Sequence, residues 1–308
     1  MASLAAVTLA DWLARRTYAG AEFSPAGLRA AKAGRTLSVV LPAKDVADTI
    51  GGVLDVLVPL RAAGVIDELV VVDAASEDGT GAVAAARDVP VHQEDALMAA
   101  FGPCLGKGDA MWRALSATRG DVVAFVDADT GDFTEGFAVG LLGPALAHPD
   151  LALVKGAYRR PFRAGGHVEP DGGGRVTELV ARPLINLHRP ELAGFEQPLA
   201  GEIVARRDLL EALAFPVGYG VEIAMLLDAH ARAGLDALAQ VRIGTRQNAH
   251  QPLRALAPMA YAVLVAASRR LGGNAAEPGP LVLPHGGTLD VREVAVAERP
   301  PLRIVRAA

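Results

Sequence analysis

Cysteine is almost missing from this chain. The single Cys104 excludes any intrachain disulfide and makes a reducing cytoplasm the natural setting. Long apolar runs are lacking too. The longest stretch, near 259–267, is too short to span a bilayer and reads as a buried helix, so no membrane partner is expected. No charge of one sign dominates: 35 acidic against 30 basic residues leave a formal −5. Without a basic stripe, a general nucleic-acid or membrane-surface binder is excluded, although a local basic pocket for an anion is not. Met1-Ala2-Ser3-Leu4 has no basic leader and is followed by Asp11, Arg15 and Arg16, so a signal peptide is not expected. Internal repeats and low-complexity tracts are absent. So is the Gly-X-Gly-X-X-Gly turn that a dinucleotide-dependent dehydrogenase would carry after its first strand. A sugar nucleotidyltransferase would need a glycine-rich loop with a following arginine there, and none is found.

What is present suits a globular protein. The chain has 308 residues, 51% of them hydrophobic, which is ample for a core and fits one large domain with or without a small appendage. Residues 1–35 are expected to be helical, ending near Gly34. Thr36-Leu37-Ser38-Val39-Val40-Leu41-Pro42 is a short β-branched apolar run closed by proline, the pattern of a buried strand. Glu68 to Asp73 and Asp121 to Asp127 repeat it, and Val89-Pro90-Val91 reads as an edge strand because it tolerates proline. Helical stretches fall between them. Such alternation predicts an α/β fold with a mostly parallel, doubly wound sheet, whose ligands bind beyond the carboxyl ends of the strands. Leu151 to Lys155 and a segment near Val241–Ile243 add strands. Helices are expected at about 176–187, 207–214, 221–233 and 252–271. The chain is expected to divide into an α/β half (1–155), a helical half of the same domain (156–272), and a Pro/Gly-rich, loosely packed tail (273–308).

Three strands end in polar residues that should meet at one rim: Pro42-Ala43-Lys44-Asp45, Asp73-Ala74-Ala75-Ser76 and Asp127-Ala128-Asp129. Alternate residues of an extended segment point the same way, so both carboxylates of the last can face the rim. Paired there, they can hold a hard divalent cation that in turn holds a diphosphate. Taken alone, an Asp-X-Asp is usually a solvated loop; its place at a strand end favours the metal site. Asp73 can accept from a base or a ribose hydroxyl, or can simply cap a turn with Ser76. Gly106-Lys107-Gly108 opens a helix, where amide ends and lysine both favour phosphate, but a surface turn is an equal reading. Gly172-Gly173-Gly174-Arg175-Val176-Thr177-Glu178 joins a close-approach backbone, a forked guanidinium and a hydroxyl ahead of a helix, which reads as an anion site for an acceptor ahead of the alternative, a flexible glycine loop with a solvated arginine. Glu222, at the start of the helix after Tyr219-Gly220, is either a helix-dipole residue or a site residue. His148, His188 and His230 read as surface or packing residues.

These segments together resemble the glucosyl-3-phosphoglycerate synthases of actinobacteria and the related mannosyl-3-phosphoglycerate synthases. The resemblance spans about residues 36–270 and rests on Ser38 to Ala43, Asp48 to Gly51, Gly106 to Gly108, Asp127 to Asp129, Gly172 to Pro183, Gln197-Pro198-Leu199 and Gly218 to Ile223. The Gly172–Pro183 and Gly218–Ile223 stretches are specific to that family, whereas Asp-X-Asp is shared by many glycosyltransferases. The resemblance implies the nucleotide-diphospho-sugar transferase (glycosyltransferase A type) fold with a C-terminal helical acceptor region. It implies a retaining, metal-dependent hexosyltransferase, usually a homodimer, with UDP-glucose as donor, D-3-phosphoglycerate as acceptor and Mg²⁺ as metal, replaceable by Mn²⁺ or Co²⁺. Carried over by position, Pro42, Ala43, Asp45, Val46, Asp73, Ala74, Lys107, Asp127, Ala128, Tyr219 and Glu222 belong to the donor site. Gly174, Arg175 and Thr177, with Val176 between them, hold the acceptor's anionic group. Asp129 is the metal ligand, and Leu199 offers its backbone carbonyl to the reacting hydroxyl. No protein nucleophile is implied; the attack is front-side, assisted by the departing phosphate oxygen.

Three departures separate the chain from that pattern. The family has a leucine-like residue and a glutamate at the positions of Lys44 and Val46, and a nucleotide-contacting serine at Ala74. These changes leave another donor such as GDP-mannose, or a specialised-metabolite acceptor, as the alternative. The family's metal histidine falls without gaps on Asn248, with His250 two residues on. Because imidazole is the better ligand and such a loop shifts easily by two residues, His250 is expected to complete the metal site, with Asn248 placed toward the acceptor; the alternative is that His250 merely hydrogen-bonds near the helix start. A non-catalytic binding module would follow if neither reached the metal.

Overall fold

The structure, a computed structural model, describes residues 4–164, 167–170, 172–246, 251–272, 278–286 and 288–307. Its helices are α1 (Leu4–Arg16), α2 (Pro25–Ala31), α3 (Ala47–Ala62), α4 (Thr80–Ala85), α5 (Lys107–Ala117), α6 (Glu135–Ala147), α7 (Arg182–His188), α8 (Arg207–Ala212), α9 (Val221–Ala233), α10 (Ala257–Arg270) and α11 (Leu302–Ala307). The strands are β1 (Thr17–Ala19), β2 (Leu37–Ala43), β3 (Glu68–Asp73), β4 (Val91–Gln93), β5 (Val122–Phe125), β6 (Leu153–Arg159), β7 (Phe162–Ala164), β8 (His167–Glu169), β9 (Ile203–Arg206), β10 (Phe215–Pro216), β11 (Leu238–Thr245), β12 (Leu281–His285), β13 (Thr288–Arg292) and β14 (Glu298–Arg299). One sheet runs in the order β1-β11-β6-β9-β5-β2-β3-β4. Its pairs are parallel except those of β9, which lies antiparallel between β5 and β6.

Period-two alternation sends successive strand residues to opposite faces, and both faces are buried. Val40, Val70, Val72, Val123, Phe125 and Ile203 enter one core with α5 and α9. Val39, Leu41, Leu69, Val71, Ala124 and Val204 enter the other with α3 and α6. The expected edge strand does lie at the sheet edge, as β4, but it starts only at Val91, with Pro90 just before it rather than inside it.

Three expectations change. The expected N-terminal helix is two helices separated by edge strand β1. Ser24 restarts the helix as a true N-cap, accepting from Gly27 N at 3.3 Å with Pro25 at the first turn. Strand β9 was not anticipated: its three-residue apolar core, 203–205, is too short to show a period, and only neighbours on both sides make it a central strand. The stretch after 273 is not a loosely packed tail, as far as it is described. β14 pairs with β10, Trp112 Nε1 donates to Pro300 O at 2.8 Å, and Leu302 is buried.

Candidate active site

Parallel pairing brings the ends of β2, β3, β5, β6 and β11 to one rim, and antiparallel β9 starts there. The loops after β2 and β3 are laced together. Lys44 Nζ donates to Ala74 O at 3.1 Å, Asp45 N to Ser76 Oγ at 2.8 Å, Val46 N to Thr80 Oγ1 at 2.9 Å and Ala47 N to Asp78 Oδ2 at 2.8 Å. Asp45 itself holds a left-handed backbone, φ +49°. Asp73 is buried, and its carboxylate accepts from Ser76 Oγ at 2.5 Å and Gln93 Nε2 at 2.9 Å. The turn-capping geometry is therefore present, and it occupies both oxygens. Half-buried Pro42 and buried Ala43 form the floor.

At the centre lies a chain of alternating charges. Lys107, the first residue of α5, has its ammonium 2.7 Å from Asp127 and 3.0 Å from Glu222. Arg246, directly after β11, reaches the other Asp127 oxygen at 3.1 Å and Asp129 at 2.8 Å, and also pairs with Glu202. Tyr158 donates to Glu202 at 2.8 Å and lies under the Arg246 guanidinium. Burial alone would raise the Asp127 carboxyl, but the charges of Lys107 and Arg246 outweigh it and hold the group well below the usual carboxylate range. Burial likewise opposes the Lys107 charge, yet Asp127 and Glu222 keep that ammonium firmly protonated. At Glu202 burial wins and pushes the carboxyl up despite Arg246.

A turn from Gln197 to Gly201 closes over this chain, with Leu199 half-buried at its tip. A Cβ at Gly201 would sit 2.4 Å from Lys107 Nζ and 2.7 Å from the Asp127 oxygens, so any larger residue would push apart either the turn or that ion pair. Ala128 is buried, fixed by Thr49 Oγ1 donating to its carbonyl at 2.8 Å, so Asp127 and Asp129 are turned outward around it. Asp127 is 21% exposed at its side chain and Asp129 56%. Tyr219, half exposed, flanks Glu222 at the start of α9.

The glycine stretch enters a π-helical turn, Thr177–Ala181, through Gly174 at φ +70°. Such turns inside helices are frequent at functional sites. Arg175 donates to Gln251 O and lies over Phe162 at 5.3 Å. Thr177 is buried, and Val176 turns its side chain into the core, so any ligand could meet only its backbone. Beside Arg175 runs a groove of about 490 Å³ lined by Leu179, Val180, Leu253, Leu256 and Ala260. Asn248 and His250 lie outside the described residues. Among the described residues no three His, Cys, Asp or Glu gather as a metal cage.

The structure thus unites Lys107, Asp127, Asp129, Glu222 and the Leu199 turn. Sequence reasoning missed Arg246 and Glu202. The available signal was position: Arg246 ends a strand at the same rim, and Glu202 follows a glycine just before one. What hid them was the unrecognised extent of β11 and β9.

Residues 38–159 match the family described as Glycosyl transferase family 2. Over 298 residues the chain is 43% identical to the glucosyl-3-phosphoglycerate synthase of Mycolicibacterium smegmatis, covering 96% of this chain and 98% of that one. Among solved structures, mannosyl-3-phosphoglycerate synthase from Rubrobacter xylanophilus superposes with a TM-score of 0.87 at 47% identity, covering 96% and 99% of the two chains. Glucosyl-3-phosphoglycerate synthase from Mycobacterium tuberculosis, in complex with Mn²⁺, uridine diphosphate and glucosyl-3-phosphoglycerate, gives 0.83 at 41% identity over 92% and 96%.

Proposed function

This chain belongs to the glucosyl-3-phosphoglycerate synthase family and has its nucleotide-diphospho-sugar transferase fold, and on that premise we propose that it transfers glucose from UDP-glucose to D-3-phosphoglycerate with retention at the anomeric carbon. The observation that carries the reading is the rim cluster itself, in which Lys107 at a helix start and the outward Asp127–Asp129 pair stand where a diphosphate and its cation would meet. The donor set fits such a cation: hard carboxylate oxygens, one of them largely open, suit a metal bound by one or two carboxylates plus substrate phosphates. Asp129 would hold Mg²⁺, or Mn²⁺ or Co²⁺ in its place, with His250 as the second protein ligand; when bound, the cation supplies charge stabilisation for the leaving nucleoside diphosphate.

This chain's own side chains supply the rest. Lys107 would bind the diphosphate, its charge secured by Asp127 and Glu222. The loops carrying Pro42, Ala43, Asp45, Val46 and Ala74, tied to one another, would cradle the nucleoside. Glu222 and Tyr219 would line the sugar. Arg175, with the backbone of Gly174 and Val176, Thr177 and Asn248, would hold the acceptor's anionic group, and the Leu199 carbonyl would orient the attacking hydroxyl.

A second donor, GDP-mannose, is favoured by one observation, the 47% identity to a solved mannosyl-3-phosphoglycerate synthase, and Lys44 in the nucleotide loop permits it. We propose a homodimer, for which exposed Leu179, Leu187 and Leu253 offer an apolar surface, in a reducing cytoplasm consistent with the lone Cys104. The test is a panel of nucleotide sugars with 3-phosphoglycerate and Mg²⁺ or Mn²⁺, following nucleoside diphosphate release. Release dependent on 3-phosphoglycerate and fastest with UDP-glucose supports the reading, preference for GDP-mannose supports the second, and no acceptor-dependent release with any donor overturns both.

A further inference from the structure

Lys155 is fully buried in the middle of β6, and no step of the reaction described above uses it. Burial lowers its ammonium to about 8, and the nearby Lys107 charge adds to that cost while Glu222, Glu202 and Asp127 offset it in part. An apolar side chain of similar volume would be cheaper in a sheet core. The one direct role on view is a hydrogen bond of 2.9 Å from its Nζ to the carbonyl of Ala200. A second tie comes from the same strand: Gln197 Nε2 donates to Tyr158 O at 3.1 Å. The turn between these anchors is closed by Ala200 N donating to Gln197 O at 3.0 Å. A trans peptide opposes its N–H and C=O, so an Ala200 N–H aimed into the turn points the Leu199 carbonyl out of it. The next peptide plane is held by Lys155. Gly201 then brings the turn against Asp127 and Lys107.

We propose that Lys155 and Gln197 are positioning residues, which pin the turn over the rim cluster to β6 and thereby aim the Leu199 carbonyl at the acceptor's attacking hydroxyl. The inference rests on the glycosyl-transfer reading. Its consequence is specific. Loosening the turn should impair attack by the acceptor, which needs the carbonyl, more than attack by water on the bound donor, which does not. Substrate binding, made by other residues, should change little.

The variants are Lys155→Met, which keeps volume and removes the donor, and Gln197→Glu, which is isosteric and lacks the amide donor. Each is assayed beside the wild type at saturating Mn²⁺, with the donor and acceptor that the wild type uses. Transfer and acceptor-free donor hydrolysis are measured separately. We expect kcat for transfer to fall about tenfold or more, which corresponds to about 1.4 kcal/mol of barrier per decade. The KM for each substrate should stay within about twofold, and the ratio of transfer to hydrolysis should fall with kcat. If Lys155→Met does not fold, Gln197→Glu, at a half-buried surface turn, carries the same measurement. Hydrolysis falling in step with transfer, or transfer unaffected in the folded variants, overturns the proposal. A wild type that transfers sugar to no acid overturns the glycosyl-transfer reading instead, and this inference with it.

Discussion

Arg246 donates to Asp129 across 2.8 Å from a side chain that is only 3% exposed, while Asp129 is itself more than half open to the cleft. A buried guanidinium thus stands beside the very carboxylate proposed to take the cation. It also pairs with Asp127 and Glu202. Its Nε is buried with no partner among the described residues. Arg246 is shared by all three of these carboxylates, and Lys107 adds a second positive charge at Asp127.

Arg246→Met should therefore destabilise the protein by about 3 kcal/mol or more, because breaking a buried ion pair from one side strands the others. Mn²⁺ should then stabilise the variant more than the wild type, since it restores positive charge between the same carboxylates. Thermal melts with and without Mn²⁺ check this; equal shifts in both proteins would refute the assignment.

Asp129→Ala should remove most turnover while changing the melting temperature little, as a side chain 56% exposed contributes little to folding. Activity that survives excess chelator in the wild type would contradict a metal-dependent mechanism outright.

Arg175→Ala should raise the acceptor KM about tenfold to hundredfold, the loss of one charge-assisted pair of roughly 1.5–3 kcal/mol, and leave the donor KM nearly untouched. Steady-state kinetics with each substrate varied in turn decide it. A larger effect on the donor would move Arg175 to the other side of the site.

Gly201→Ala should disable the enzyme without unfolding it. Its Cβ would meet Lys107 Nζ at 2.4 Å and the Asp127 carboxylate at 2.7 Å, so the turn or that ion pair must shift, at a typical overpacking cost of about 1–3 kcal/mol. A kcat within twofold of wild type, by about the precision of such assays, would mean the close approach is dispensable.

Lys155 gives stability an unusual pH dependence. Its folded-state value of about 8 lies below the ordinary lysine value of 10.5, so between the two the unfolded chain binds a proton that the folded chain has released. Stability relative to Lys155→Met should then rise as pH climbs through that window, and the full cost of the buried charge should be felt below it. Denaturant midpoints of both proteins on either side of the window measure the difference. A gap between them that is constant with pH would show that burial does not depress this ammonium.

Much of this protein was legible in its sequence. The β-branched runs 37–41 and 69–72 are strands because both faces of a parallel sheet need apolar side chains, and their lengths and spacing follow from that alone. The polar residues closing those runs marked the rim, and Asp127-Ala128-Asp129 needed only the two-residue repeat of extended chain to turn both carboxylates one way. Tertiary structure decided the rest. β9 is a strand because β5 and β6 flank it, not because residues 203–206 announce one, and its antiparallel insertion is what carries Glu202 and the Leu199 turn to the rim. Arg246 lies 117 residues beyond Asp129, and Lys155 45 residues before Ala200, so no local pattern could join them. Ion pairs and buried donors between distant segments depend on where strands end in space, and that is settled only when the sheet has assembled.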